Sequence, residues 1–154
     1  MKKIEWVLIS LAVAGIILRI FAVDGSLLLM AFSMTLLSLV YLVLGFALLN
    51  HIRLRDIFKK NAYQHTNAAS ILWAVFGGIA SWLAVLGILF SIAKWEGGPM
   101  ILTVALALLI IMGAASIINL RSRPSAFYKS LSIRLGVLTI ISAATFFCRK
   151  MGIW

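Results

Sequence analysis

The chain has 154 residues, 64% of them hydrophobic, with a mean hydropathy of +1.13 and a formal net charge of +10. A soluble domain has roughly 45–50% apolar residues, so this composition excludes a globule that coats its core with polar side chains. The cations cluster between apolar runs, where they act as topology signals and anionic-lipid contacts rather than as a nucleic-acid surface.

The first apolar run, about Ile4 to Val23, follows Lys2 and Lys3 and holds Glu5 near its start and Arg19 near its end. Its apolar stretch continues past Gly15 with no small-residue cleavage site, so it reads as an uncleaved span rather than a signal peptide. Glu5 beside Lys2 and Lys3 predicts a local ion pair at the membrane surface. Arg19, near an end, is expected to snorkel to the headgroups or to pair with Asp24 or Glu96. A second run, about Ser26 to Leu49, follows the Asp24-Gly25 turn. The polar segment Asn50 to Asn67 comes next, with apolar Ile52, Ile57, Phe58 and Tyr63 among Arg53, Arg55, Lys59 and Lys60. That pattern resembles a short helix lying among headgroups.

A third run covers about Ala69 to Ala93. KWEGGP leads into a fourth, about Met100 to Leu120. The linker RSRPSAFYKS precedes a shorter fifth, about Leu131 to Phe147. Runs of about 20 apolar residues span a bilayer as helix, and none of these alternates with period two. The expected fold is therefore all-α, a polytopic membrane bundle of four or five transmembrane helices in one domain, residues 1–154. With the N-terminus inside, ten cations fall inside (Lys2, Lys3, Arg53, Arg55, Lys59, Lys60, Arg121, Arg123, Lys129, Arg134) and four outside (Arg19, Lys94, Arg149, Lys150). This bias predicts a cytoplasmic N-terminus. Five spans then place the C-terminus outside, whereas a re-entrant fifth segment would keep it inside.

Shifted by 72 positions, Leu11, Ala12, Val13, Gly15, Ile16, Ile20 and Gly25 recur as Leu83, Ala84, Val85, Gly87, Ile88, Ile92 and Gly97, and Asp24 becomes Glu96. The shared glycines and the acid-Gly turn carry the comparison, since apolar runs match one another easily. The chain reads as a tandem repeat of parallel hairpins: repeat 1 about 4–67, repeat 2 about 69–130, and an extra span about 131–148. Gly permits the turn's backbone angles, and Pro99 suits a first helical turn.

A span ending Gly-apolar-apolar-apolar-cation-Ile before a Gly turn and a descending apolar span, complete in the first copy and partial in the second, resembles the transmembrane hairpin of the GldL family. These are inner-membrane motor proteins of bacterial gliding and type IX secretion. The family turn is cation-Ile-x-His-aromatic-Pro-Gly. Here RIFAVDG places Arg19 at the cation and Gly25 at the glycine, while SIAKWEG places Trp95 at the aromatic and Ser91 at the cation position. The resemblance implies a relative of that family. It also implies loss of proton-motor activity, because Ala31 to Asn50 and Ile101 to Leu120 hold no Asp or Glu where the family has its intramembrane acid.

The leading functional expectation is a non-enzymatic scaffold or complex subunit with no cofactor and no metal. Its partners are the lipid bilayer and, through small-residue helix faces, another membrane protein or a second copy. Pairs four apart, such as Ala74 and Gly78, Gly77 and Ser81, Gly87 and Ser91, Ser132 and Gly136, with Gly113-Ala114-Ala115-Ser116, allow close helix approach, first of all within the chain. Candidate binding residues form an outer-face charge cluster, Arg19, Asp24, Lys94 and Glu96. Anionic-lipid contacts are expected at Arg53, Arg55, Lys59, Lys60, Arg121 and Arg123. The second class is a small transporter or ion-conducting protein, favoured by duplication and opposed by the lack of acidic or broken-helix features inside spans. The sequence also shows no acid-base pair buried in a span. The third, a membrane-embedded lipid enzyme, would need His51, His65 and Asp56 to form a site in the first basic linker. Two histidines without a carboxylate cluster make a poor metal site. The single cysteine, Cys148, excludes an internal disulfide.

Overall fold

A computed structural model describes residues 2–49, 68–122 and 124–152. The described chain is helical: α1 (Lys2–Ile20), α2 (Ser26–Leu49), α3 (Ala68–Ile92), α4 (Gly98–Ser122) and α5 (Ala126–Lys150). Helices α2 to α5 are each long and apolar enough to cross a bilayer. At 1.5 Å per residue, the 19 residues of α1 reach about 28 Å, close to the hydrocarbon thickness. Its charged residues sit towards its two ends. The outer surface is apolar: Leu28 and Met100 are about three-quarters exposed at 76% and 75%. Only lipid solvates such a surface, so the protein is a multi-pass membrane protein.

The fifth segment differs from expectation. The sequence suggested a short span from Leu131, but α5 begins at Ala126 and has 25 residues, as many as α3 and α4. Ser125 caps it, its hydroxyl accepting from the Tyr128 N–H, which lets the helix start within the basic linker. The far end of α5 lies at the α3–α4 turn, where Arg149 Nη1 donates to the Ser91 carbonyl at 3.4 Å. The helix therefore runs the full depth of the bundle. Its C-terminal end shares a side with the two hairpin turns, opposite the start of α1.

Helix α3 is central, packed on α2, α4 and α5, whereas α1 packs along α2. The small residues of α3 are spent on this role. A Cβ at Gly78 would lie 2.9 Å from the Tyr41 carbonyl oxygen, and one at Gly45 would lie 3.0 Å from Gly78 Cα. Without side chains there, α2 and α3 meet backbone to backbone. The expected close approach fails at Gly113 and Gly136, where an added Cβ would meet nothing within 4 Å. Helices α4 and α5 are joined instead by a 2.8 Å hydrogen bond between the hydroxyls of Ser116 and Ser132. Among the serines of the spans, Ser33, Ser38, Ser81, Ser91, Ser116 and Ser142 are buried and Ser70 is half-buried, as suits small packing residues.

Both hairpin turns have the same hydrogen bonds, 72 positions apart. Val23 N–H donates to Leu18 O and Ala22 N–H to Arg19 O; Trp95 N–H donates to Phe90 O and Lys94 N–H to Ser91 O. This six-to-one and five-to-two pair is the Schellman ending of a helix. Its left-handed residue is usually Gly, yet here it is Ala22 (φ 53°) and Lys94 (φ 58°). The glycines at Gly25 and Gly97, with φ 79° and 80°, make a second left-handed step into the next helix. The apolar contact that accompanies the motif is visible in the second turn, where Trp95 meets Phe90 edge to face at 5.0 Å. A left-handed residue with a Cβ costs about 1–2 kcal/mol. Ala22→Gly and Lys94→Gly are each expected to stabilise the protein by roughly 1 kcal/mol, less what glycine adds to unfolded-chain entropy. Thermal unfolding in detergent checks this.

Candidate functional site

The least expected feature lies between α1, α2 and α5. Glu5 is 5% exposed. Arg134 grips its carboxylate with both guanidinium ends, Nη1 to Oε1 and Nη2 to Oε2, the latter at 3.0 Å. Tyr41 Oη donates to Oε1 at 3.0 Å. The sequence reading of Glu5 as a surface residue is thus corrected, as is the statement that no acid-base pair is buried in a span; the Lys2 side chain lies outside the described residues. Arg134, counted among inner topology cations, lies eight residues into α5, about 12 Å along the helix.

The local sequence explains how Glu5 comes to be buried. It continues the stripe Leu8, Ala12 and Gly15, at spacings of three and four, that faces α2. Gly15 lets the stripe close: a Cβ there would lie 2.8 Å from Met30 Cα. A charge at such a position costs several kcal/mol unless paired and hydrogen-bonded. The guanidinium fork meets a carboxylate with two parallel N–H bonds, and the tyrosine supplies a third donor.

Beside this triad is a cavity of about 370 Å³. Its back wall is buried Met34 and Leu37 of α2 and Val85 and Ile88 of α3. Its mouth is framed by exposed side chains, Trp6 and Val13 on α1 and Ile133 and Val137 on α5. The lining is apolar apart from Arg134 and Tyr41 at one end. It exists because α1 and α5 do not pack along their lengths. They are bridged at one level by Glu5 and Arg134.

The predicted outer-face cluster is more dispersed. Arg19, Asp24, Lys94 and Glu96 are all exposed on the side of the hairpin turns. Among the described residues no ion pair joins any of them, and Arg19 pairs with neither Asp24 nor Glu96. Arg19 occupies the last turn of α1, where a cation complements the helix dipole. Arg121 is exposed in the last turn of α4. Arg53, Arg55, Lys59, Lys60 and Arg123, with His51, Asp56 and His65, lie outside the described residues. Among the described residues no three His, Cys, Asp or Glu side chains group as metal ligands.

No protein-family model, no curated protein and no solved structure matches this chain.

Proposed function

We propose that the chain is a non-enzymatic scaffold or subunit of a membrane complex, built from two GldL-like hairpins in tandem and closed by a fifth helix. It sits in a bacterial inner membrane with its N-terminus cytoplasmic. The duplication is supported by the two turns, whose hydrogen bonds coincide at an offset of 72. It is supported again by the helix crossings: Gly15 lies against Met30 backbone and Gly87 against Leu102 backbone, the same pair 72 positions on.

The observation that carries the non-motor reading is the state of Glu5. A proton-carrying acid must be freed in each cycle, and in the GldL family that acid belongs to the second hairpin helix. The acid in a span here is on α1, and both its oxygens are held by Arg134, a permanent cation. Such an arrangement locks helices together. The reading predicts a membrane-embedded partner at fixed ratio when the tagged chain is purified from its native membrane in mild detergent. A lone monomer overturns the subunit role.

A small transporter is the second reading, favoured by the ion pair standing at the wall of a cavity. Solute flux or a membrane-potential change in proteoliposomes containing the chain alone would establish it.

A further inference from the structure

The geometry points to the slot between α1 and α5 as a binding site for one acyl chain of an anionic glycerophospholipid, drawn from the leaflet on the N-terminal side. The slot opens sideways between two helices whose outer faces are apolar, so what enters from the membrane plane is hydrocarbon. On α1 it extends from Trp6 to Ile16, ten residues or about 15 Å of helix. A helix about 10 Å across is a wide occupant for a slot of about 370 Å³. A single extended chain is the narrower occupant and fits. The volume is also within the usual range of about 300–1,000 Å³ for small-molecule sites.

Charge fixes the headgroup. Arg134 lines the polar end, and two of its five N–H groups go to Glu5 among the described residues, leaving donors for ester or phosphate oxygens. One turn nearer the membrane surface, Lys129 precedes Ile133 by four residues on α5, and Lys3 precedes Trp6 by three on α1. The two faces that frame the slot therefore each run into an exposed lysine. Among the described residues neither lysine makes an ion pair. Against Glu5, already matched by Arg134, these two cations leave the mouth of the slot positive. A zwitterionic lipid would fill the apolar part but would not neutralise that mouth.

Native mass spectrometry of the full chain, delipidated and titrated with equal phosphatidylglycerol and phosphatidylcholine, tests this. The expected result is one retained lipid, with phosphatidylglycerol preferred roughly 25-fold, about fivefold for each of two cations near an anionic headgroup. Lys129→Gln should cut the preference about fivefold while the protein stays folded. Val137→Trp, filling the slot from an exposed position, should abolish the adduct, and Ile140→Trp on the outer face of the same helix should not. Equal occupancy by both lipids overturns the assignment. So does an adduct that survives Val137→Trp, or a dimer of the chain that Val137→Trp disrupts, which would make a second copy the occupant.

Discussion

Arg134→Leu is expected to lower the unfolding free energy in detergent by about 3–5 kcal/mol, because it leaves a buried carboxylate without its cation. Glu5 keeps one donor, Tyr41, which cannot neutralise it. Glu5→Leu should cost a similar amount by stranding Arg134, softened because that side chain is 22% exposed and can turn outward. The double variant Glu5→Leu/Arg134→Leu should recover most of the loss, since hydrophobic replacements of a buried pair are often neutral or better. The cycle then yields a coupling energy of opposite sign to the single losses. Arg134→Lys should fall between, because an ammonium cannot make two parallel bonds. Single losses below about 1 kcal/mol, or a double loss equal to their sum, would show that the pair is surface-like and worth no more than an exposed salt bridge.

Gly15→Ala and Gly87→Ala form the second large expectation. The added methyl would stand 2.8 Å from Met30 Cα and 2.9 Å from Leu102 Cα, against backbone that cannot rotate away. Each should destabilise by about 1–3 kcal/mol, the usual cost of overpacking, and the two should be close to equal because the crossings share one geometry. Gly113→Ala and Gly136→Ala meet open space and should be neutral or gain up to about 1 kcal/mol from helix propensity. Thermal or denaturant unfolding of the four single variants in one detergent separates these outcomes. Equal tolerance at all four sites would mean that the helices of each hairpin stand further apart than Gly15 and Gly87 allow.

Much of the architecture was legible in the chain because lipid imposes it. Apolar length fixes the spans, and the acid-Gly turns fix where hairpins reverse. The same turns held something the residues did not announce. Schellman endings are expected at Gly, but Ala22 and Lys94 occupy the left-handed positions, and neither residue type signals that backbone. The length of α5 was underread because Ala126 to Ser130, with Lys129 among them, looks like the end of the basic linker, although Ser125 caps the helix there. Arg134 adds a second difficulty. Its partner is 129 residues away, and no periodicity within either helix encodes a pairing at that distance. One local sign did exist. Glu5 lies in register with Leu8, Ala12 and Gly15, so the stripe that predicts a buried face also predicts a buried carboxylate. Following the stripe one turn further would have raised the need for a cation elsewhere in the bundle. The cavity had no comparable sign, since it arises from α1 and α5 standing apart.

That same separation sets the timing of biogenesis. Helix α1 enters the membrane before the other four described helices, yet the side chain that neutralises Glu5 belongs to α5. At about 5–20 residues per second, synthesis of the intervening 129 residues takes roughly 6–26 s. Over that interval α1 can pack along α2, but Glu5 has no Arg134 to meet it. The Glu5–Arg134 contact that ties α1 to α5 is therefore the late step in assembling the bundle.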